Sequence, residues 1–309
     1  MSTLFIGLGH MGAPMAVLHA RTFPTVVFDL SDEAVARVVG DGAATAVDDP
    51  AAAAPDVDTV ILMLPTSRHV ESILRGESGL FARLPEGALV IDMGSSEPES
   101  TRALAAEAAE RAIDYVDAPV SGGVPKAVSG ELAIMVGGGA DAVARAMPHL
   151  EVLGSSIQHV GPAGAGDAAK ALNNLVSASN IAVASEALSM AARFGIDPAV
   201  MTDVLNAATG RSQATELKFP RYILTGTFDS GFAYDLMLKD MTIAMGLSEG
   251  LETPVVRAAF ERLRTGRTSL GDVPDHTEIG RLYGLGDRPT SDRPTSDRPT
   301  SDNEKEISA

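Results

Sequence analysis

Cysteine and tryptophan are absent from this sequence, and lysine is scarce, with five lysines against nineteen arginines. Without cysteine, the chain forms no disulfide bond and offers no thiolate to a metal ion. Basic residues are also few relative to acidic ones, 24 against 41, which gives a formal net charge of −17. Because binding to nucleic-acid phosphates needs a basic surface, this balance argues against a nucleic-acid partner.

Targeting and metal-binding patterns are missing as well. The N-terminus lacks a basic segment followed by an apolar one, and no uninterrupted apolar run approaches the roughly 18 residues of a membrane span. The six histidines are scattered and show no H-E-x-x-H spacing, so no metal site is expected. We therefore expect a cytoplasmic protein without a membrane partner.

The length of 309 residues predicts more than one domain, since domains usually span roughly 100–200 residues. Strand-like and helix-like segments alternate up to about residue 162, and helical patterns dominate from there to 286. The segment Asp-Arg-Pro-Thr-Ser then repeats three times, with no apolar face to bury. These changes predict a first domain at 1–162, a helical domain at 163–286 and a disordered tail at 287–309.

A glycine-rich loop follows the first predicted strand. Leu4 to Ile6 is a short apolar run, it is followed by Gly7-Leu-Gly9-His10-Met11-Gly12, and a helical pattern comes next. In a dinucleotide-binding loop the first glycine makes a tight turn, the second lets the backbone approach a pyrophosphate, and the third lets helix and strand pack. The strand, loop and helix in this order predict a site for NAD or NADP.

An acidic residue ends the second predicted strand, seventeen residues beyond Gly12. Asp29 stands where a carboxylate would accept hydrogen bonds from a ribose 2′-hydroxyl and repel a 2′-phosphate. Leu30 follows it where a basic residue would favour NADP, so we prefer NAD. An aspartate that merely caps the helix starting near Ser31 is the alternative interpretation.

The alternation of strands and helices continues through the first half. Apolar runs end before Pro65, before Ser95 and before Ser121, and helical patterns separate them. Strands that are apolar on both faces and separated by helices predict an α/β fold with a doubly wound, mostly parallel Rossmann-like sheet. The carboxyl ends of such strands form the usual ligand site.

The segment Ser121-Gly122-Gly123 follows the strand that ends near Asp117. A hydroxyl beside exposed backbone N–H groups is suited to holding a carboxylate. A turn that simply requires glycine explains the same letters equally well.

Lysine and asparagine share one face of a long predicted helix in the second half. After the glycines at 164 and 166, the segment from Asp167 to Phe194 contains neither glycine nor proline. Lys170 and Asn174 lie four residues apart within it, so a helix places them one above the other.

A second lysine lies in another, mostly apolar helical pattern. An unpaired ammonium group would be costly there, so we expect Lys239 to be paired or at a cleft. Further helices are predicted over 198–208, 234–248 and 255–263, with breaks at Gly195, Gly210 and Pro220. Arg211 fits either a second anion site for a substrate or a structural ion pair.

Four motifs in the same order resemble those of the β-hydroxyacid dehydrogenase family, of the 3-hydroxyisobutyrate dehydrogenase type. They are the loop at 7–15, the segment at 117–124 with Gly130, the segment from Gly164 to Asn174, and the pair Lys239-Asp240. The resemblance spans residues 2 to about 286. Two departures from the family pattern are His10 and the sequence Gly-Ser-Ser at 94–96 in place of Ser-Thr-Ile, and the second affects the prediction of the substrate.

The resemblance implies an NAD(P)-dependent oxidoreductase with a helical second domain that forms a homodimer or homotetramer. Lys170 is implied as the catalytic acid and base, Asn174 as the residue that orients the substrate, and Ser121, Gly122 and Gly123 as the carboxylate site. The residues implied in cofactor binding are Gly7, Gly9, His10, Met11, Gly12, Asp29, Leu64, Pro65, Ser95, Phe232 and Lys239.

The expected reaction is hydride transfer between NAD(P) and a small 3-hydroxy acid similar to 3-hydroxyisobutyrate, or its semialdehyde. A reductase of tartronate semialdehyde, succinic semialdehyde or sulfolactaldehyde is an alternative within the same fold. An imine reductase is another, although those enzymes tend to carry a different residue at the position of Lys170. A non-catalytic NAD-binding protein is the alternative from a different class.

Overall fold

The computed structural model describes residues 2–286, and the predicted tail at 287–309 lies outside the described residues. Its strands are β1 (Thr3–Ile6), β2 (Thr25–Phe28), β3 (Thr45–Ala46), β4 (Thr59–Leu62), β5 (Leu89–Asp92), β6 (Asp114–Asp117), β7 (Val120–Ser121), β8 (Leu132–Gly137) and β9 (Gly154–Gly161). Its α-helices are α1 (Gly12–Ala20), α2 (Asp32–Val39), α3 (Pro50–Ala53), α4 (Ser67–Leu74), α5 (Pro98–Ala109), α6 (Gly123–Ser129), α7 (Ala140–Leu153), α8 (Ala165–Phe194), α9 (Pro198–Ala207), α10 (Tyr234–Gly246) and α11 (Pro254–Gly266). Short 3₁₀ segments lie at Ala54–Asp56, Leu80–Ala82, Arg267–Ser269 and His276–Tyr283, and a π-helix at Ala214–Ile223.

All the strands belong to one sheet in the order β3-β2-β1-β4-β5-β6-β8-β7, with β9 paired to β8. The first six strands are parallel to one another, whereas β8 runs antiparallel to β6 and β7. Strand order reverses between β1 and β4, so the carboxyl ends of these strands flank the crevice where open α/β sheets bind ligands. The predicted doubly wound, mostly parallel sheet is confirmed.

Both faces of the sheet are buried because successive strand residues point to opposite sides. Phe5 and Ile61 belong to the core on one face, and Leu4, Val60 and Val90 belong to the core on the other. Helices cover both faces, which explains why these strands are continuously apolar rather than alternating.

A separate core lies in the second half of the chain. It gathers buried residues from α8, α10, the π-helix and the last 3₁₀ segment, with Leu188, Phe219, Tyr234, Met241 and Ile279 among them. The 30-residue helix α8 runs through this core. Its first turns also pack against β8 and β6, so this one helix joins the helical half to the sheet.

By length and composition alone, α8 could cross a membrane, with a mean hydropathy of 1.3 over its most apolar window. The sequence still contains no uninterrupted apolar run of this length, because alanines and other small residues raise the average hydropathy of α8 between its polar residues. A central helix of a globular domain passes the same test, and α8 contributes many buried residues to the second core.

The structure also corrects the predicted break at Pro220. This proline lies inside the π-helix Ala214–Ile223. Proline has no backbone N–H to donate, so the helix continues through Pro220 with one hydrogen bond fewer.

Candidate active site

The glycine-rich loop has the geometry that a dinucleotide requires. Gly7 has a φ of +96°, and a Cβ atom placed on it would lie 2.3 Å from the carbonyl oxygen of Met63. A Cβ on Gly12 would lie 1.9 Å from the carbonyl oxygen of Gly7. Gly9 is exposed, and a Cβ there would meet no atom within 4 Å. The first and third glycines are thus fixed by close packing, and the second leaves open space over the start of α1 for phosphates.

The carboxylate of Asp29 is tied to this loop. It accepts hydrogen bonds from the backbone N–H of Leu8 at 2.6 Å and from that of Ser31 at 2.8 Å. The N-cap of α2 is Ser31, whose hydroxyl accepts from the N–H of Ala34. The interpretation of Asp29 as the helix cap is therefore incorrect, and its position beside the glycine loop agrees with contact to a ribose.

Lys239 joins the helical half to two loops at the carboxyl edge of the sheet. From α10, its Nζ donates to the carbonyl oxygen of Ser95 at 2.7 Å and to that of Pro65 at 3.3 Å. Pro65 follows β4 and Ser95 follows β5. The expectation was that this lysine is paired or at a cleft, and its pairing is confirmed; it links the predicted cofactor residues Pro65 and Ser95.

Lys170 and Asn174 are both buried on α8, and α10 lies against them. Asn174 donates from Nδ2 to the Oδ2 atom of Asp240 at 2.5 Å. The other oxygen of Asp240 lies 3.4 Å from the Nζ of Lys239 as an ion pair, without the geometry of a hydrogen bond. Lys170 is only 8% exposed, so its amine sits inside the junction between the two halves.

The surroundings of Lys170 change its proton affinity. Burial lowers the pKa of Lys170, the negative charge of Asp240 opposes that effect, and the positive charge of Lys239 adds to it. The net lowering makes the neutral amine easier to form than it would be in water. An amine that gains and loses a proton readily is suited to general acid and base chemistry.

Asp240 is the residue of this group that sequence reasoning did not assign a role. It is 2% exposed and contacts both Asn174 and Lys239. The signal was present, because a carboxylate beside a lysine in an apolar helical pattern needs a buried partner. What the sequence did not show is that the partner is on α8.

The predicted carboxylate site lies at the end of β7. Gly122 and Gly123 have φ values of +141° and +73°, precede or begin α6, and are exposed, while Ser121 is half-buried. The backbone therefore adopts a conformation that favours glycine, as expected for both a turn and an anion cradle. Ser121 pairs with Ala133 of β8, the strand against which α8 packs.

Three predicted residues remain to be placed. His10 is exposed and Met11 half-buried beside the open Gly9 position. Phe232 lies near the start of α10, where its ring meets the edge of His276 at a centroid distance of 5.4 Å. Its backbone N–H donates to Asp275, so this part of the structure associates Phe232 with the 275–276 turn. The roles of all these residues in binding stay predictions.

Two further observations concern Arg211 and the potential metal ligands. Arg211 is exposed and lies 3.7 Å from Glu216 as an ion pair, which agrees with the structural interpretation. Among residues 2–286, no group of three or more His, Cys, Asp or Glu side chains is arranged to hold a metal ion.

A Rossmann sheet with this glycine loop, and with a helical half whose Lys239 contacts the loops at its carboxyl edge, defines a two-domain dinucleotide-binding protein. A family model described as the NAD-binding domain of 6-phosphogluconate dehydrogenase matches residues 3–161. A second, described as NAD-binding of NADP-dependent 3-hydroxyisobutyrate dehydrogenase, matches residues 164–283.

The chain is 40% identical over 266 residues to 2-(hydroxymethyl)glutarate dehydrogenase of Eubacterium barkeri, covering 85% of this chain and 88% of that one. It is 37% identical over 290 residues to 3-hydroxyisobutyrate dehydrogenase of Pseudomonas aeruginosa, covering 90% and 97%. A solved structure of Mycobacterium tuberculosis 3-hydroxyisobutyrate dehydrogenase with L-serine superposes with a TM-score of 0.84 at 30% identity, covering 92% of this chain and 99% of that one.

The chain therefore belongs to the β-hydroxyacid dehydrogenase family, and it is an NAD(P)-dependent oxidoreductase that acts on hydroxy acids. Solved imine reductases share the fold at 16–19% identity, which is evidence about the fold alone.

Proposed function

We propose that this protein oxidises the primary alcohol of a 2-substituted 3-hydroxypropanoate with NAD, and reduces the corresponding semialdehyde in the reverse direction. The observation that carries the proposal is the buried Lys170 amine, whose pKa is lowered by burial, at the junction with the nucleotide-binding sheet. The compounds in the relatives' names, 3-hydroxyisobutyrate and 2-(hydroxymethyl)glutarate, and the L-serine of the solved relative share one skeleton. Each has a CH₂OH group and a carboxylate on the same carbon.

Lys170 acts as the general base in oxidation. Bound NAD would supply the acceptor for the hydride of the carbinol carbon, and the neutral Lys170 amine takes the proton of the hydroxyl group. In the reverse direction the Lys170 ammonium group returns that proton to the oxygen of the aldehyde. An unperturbed lysine, with a pKa near 10.4, would seldom be neutral at physiological pH, so the lowered pKa is what makes this role feasible.

Asn174 and Asp240 keep this amine in a defined environment. The Nδ2 atom of Asn174 is engaged by Asp240, so the amide oxygen faces the other way, where Asn173 donates to it at 3.2 Å. The negative charge of Asp240 partly offsets the lowering of the Lys170 pKa by burial. With the amide fixed in this orientation, Asn174 orients a substrate hydroxyl rather than exchanging protons.

The substrate carboxylate binds at Ser121, Gly122 and Gly123. The hydroxyl and the backbone N–H groups at the start of α6 supply donors without a fixed positive charge. A substrate that carries its carboxylate one carbon away from the CH₂OH group would bridge this cradle and the Lys170 amine.

The nucleotide site favours NAD over NADP. Asp29 presents its carboxylate beside the glycine loop, where it would bind a ribose 2′-hydroxyl and repel a phosphate. The next residue, Leu30, is 92% exposed and offers no positive charge. Arg37, the nearest arginine on α2, is engaged with Glu33 at 3.6 Å.

The protein is further proposed to act as a cytoplasmic homodimer or homotetramer. Val176, Val183 and Met190 are exposed on α8 at seven-residue intervals, which places them on one face of the helix. Leu172, four residues before Val176, and Phe194, four residues after Met190, are also exposed and extend the same face. An exposed apolar face of this length is typical of a surface covered by another subunit.

The net charge of −17 gives no support for a nucleic-acid partner.

The proposal is tested with the Lys170→Met variant and a substrate panel, following NADH at 340 nm. Methionine keeps the buried volume of the stem but accepts no proton, so we expect kcat to fall by about 10²–10⁴-fold, while NAD binding measured by calorimetry is retained. The panel contains L-serine, 3-hydroxyisobutyrate and 2-(hydroxymethyl)glutarate, with lactate as the control that lacks the CH₂OH group. Oxidation of lactate in preference to all three, or more than about a tenth of the turnover in the variant, would contradict the proposal.

A further inference from the structure

Three carboxylates are buried together beneath the start of α8. Asp92 ends β5, Asp117 ends β6 and Asp167 lies in the first turn of α8, and each is at most 2% exposed. Tyr115 is buried beside them, and Lys170 lies one turn further along α8. None of the three carboxylates takes part in the reaction described above.

Asp167 fastens α8 to the loop that carries Ser95. Its Oδ1 atom accepts from the backbone N–H of Ser96 at 3.0 Å, and its Oδ2 atom accepts from the hydroxyl of Thr101 on α5 at 2.7 Å. Its own backbone N–H donates to Asp117 at 3.0 Å. The first turn of α8 is thereby held between the loop after β5 and the end of β6.

Glycines allow this close approach. A Cβ on Gly166 would lie 2.4 Å from the carbonyl oxygen of Met135 and 2.8 Å from the Oδ2 atom of Asp117. Gly164 has a φ of +84° and donates its N–H to Asp117 at 2.8 Å. The helix start is therefore packed directly on the sheet, and a shift at Asp167 would be carried to Lys170 three residues later.

The donors around the three carboxylates are neutral. Asp92 accepts from the N–H of Gly94 at 2.9 Å, from the Ser96 hydroxyl at 3.0 Å and from the Tyr115 hydroxyl at 3.3 Å. Burial raises the pKa of Tyr115 and the neighbouring carboxylates raise it further, so this phenol stays a neutral donor. Arg102 on α5 passes beside Gly164, but its guanidinium group pairs with Glu99 at the surface.

Without a cation among these hydrogen-bond partners, three negative charges in one buried cluster would repel one another. Burial raises the pKa of Asp92 to about 6. Burial also raises the pKa of Asp117 and, together with the charges of Asp92 and Asp117, raises that of Asp167 well above its usual value. The cluster as a whole then keeps a proton near neutral pH, and that proton belongs to the group rather than to one residue.

We infer that Asp167 is a positioning residue for the dehydrogenase reaction: it aligns Lys170 with the loop of Ser95 through a carboxylate cluster that must keep a shared proton. When the proton is lost at alkaline pH, repulsion from Asp92 and Asp117 loosens the contact of Asp167 with Ser96 and Thr101. The first turn of α8 then no longer holds Lys170 in place. The inference predicts an alkaline decline in turnover that originates in this cluster, and in that respect it rests on the proposed function.

The test compares Asp167→Asn with the native protein. Asparagine keeps an oxygen to accept from Ser96 N–H, places an NH₂ group against the Thr101 hydroxyl, and removes one charge. We expect kcat of the native protein, at saturating NAD and hydroxy acid, to decline at alkaline pH. The ratio of kcat at about pH 9.5 to kcat at about pH 7.5 should be at least about threefold higher in Asp167→Asn. Asp167→Ala, which loses both contacts, should lower kcat at every pH.

An alkaline decline that is the same in Asp167→Asn and in the native protein would overturn the inference, as would the absence of any decline. The exposed Asp203 of α9 provides the matched control, since Asp203→Asn removes the same charge from the surface and should leave the profile in place.

A second readout is independent of turnover. Because the cluster carboxylates have a raised pKa in the folded chain, they stabilise the fold at low pH and lose that contribution as the pH rises through their folded values. Above about pH 7, where the depressed pKa of His19 no longer contributes, the melting temperature of the cofactor-free protein should therefore fall towards about pH 9, and it should fall less in Asp167→Asn. If no hydroxy acid is oxidised but this difference in melting is found, the proposed function fails and the shared proton stands. If the melting curves of the two proteins shift alike, the shared proton fails whatever the activity.

Discussion

Acid should destabilise this protein through the buried His19 and its half-buried neighbour His149 at the amino end of the sheet, on the side opposite to the active site. His19, at the end of α1, is fully buried, and its Nε2 atom lies 2.9 Å from the Nδ1 atom of His149 on α7. The other ring nitrogen of His19 lies 3.0 Å from the hydroxyl oxygen of Thr25, and that hydroxyl donates to the carbonyl of Phe23. Thr25 must therefore accept from His19, which leaves Nε2 of His19 as an acceptor for His149.

In this arrangement protonation of Nε2 of His19 would set two N–H groups against each other, unless His149 changed its tautomer. Burial lowers the pKa of His19 from 6.5 to about 3, and the neighbouring His149 adds to the lowering. Burial also lowers the pKa of His149, against the opposing charge of Asp58. A depressed histidine pKa stabilises the fold only while the imidazole is neutral, so stability is lost as the pH falls from about 6.5 through the folded value.

The size of the effect follows from the two values for His19. A difference between 6.5 and about 3 corresponds to about 5 kcal/mol of unfolding free energy when complete. About 2 kcal/mol of this is lost already at pH 5. This is a large share of the usual stability of a domain, about 5–15 kcal/mol.

The measurement is urea unfolding followed by circular dichroism at about pH 7.5 and about pH 5, since the chain has no tryptophan to report by fluorescence. His19→Gln removes the titration, so the variant should lose about 2 kcal/mol less than the native protein between the two pH values. Its absolute stability does not enter the comparison. His69→Gln, at an exposed position on α4, is the control. An equal acid loss in His19→Gln and the native protein would refute the reasoning.

Two further predictions concern the cofactor and the assembly. Asp29→Ser should lower the ratio of kcat/KM for NAD to kcat/KM for NADP by about tenfold, because the charge that repels a 2′-phosphate is gone. Kinetics with both cofactors in parallel measure this ratio, and an unchanged ratio would show that Asp29 does not select the cofactor. In Met190→Glu and Val183→Glu, a charge buried against another subunit should dissociate the oligomer, as followed by light scattering after gel filtration. Val255→Glu, which places the same charge on the exposed start of α11, should not. A native protein that is already monomeric would contradict the proposed assembly.

Local rules predicted the parts of this structure that depend on neighbouring residues. Gly12 could be assigned because a Cβ there collides with the carbonyl of Gly7 only five residues earlier, and Gly7 because its φ of +96° favours glycine. The strands around Leu4 and Val60 could be assigned because burial on both faces leaves a continuous apolar run. In these places the sequence pattern and the packing express the same steric constraint.

The partners of charged groups could not be predicted in the same way. Asp167 looks in the sequence like an ordinary acid in the first turn of a helix, where it would favour the helix dipole. Only the fold brings Asp92 and Asp117 against it. Lys239 could be predicted to need a partner, but its acceptors are the carbonyls of Pro65 and Ser95, more than 140 residues away. Every residue has a backbone carbonyl, so the sequence does not show which of them will lie near a given side chain.

The pair Lys239-Asp240 explains how the two halves of the site are held in register. Adjacent residues on a helix point about 100° apart, so one turn of α10 contacts two different neighbours. Lys239 reaches the loops after β4 and β5 on the nucleotide side, and Asp240 reaches Asn174 on the side of the predicted catalytic helix. Their 3.4 Å ion pair joins these two sets of contacts. Because the same turn fixes the loops after β4 and β5 and sets the charge beside Lys170, the position of the proposed base relative to these loops depends on α10 as well as on α8.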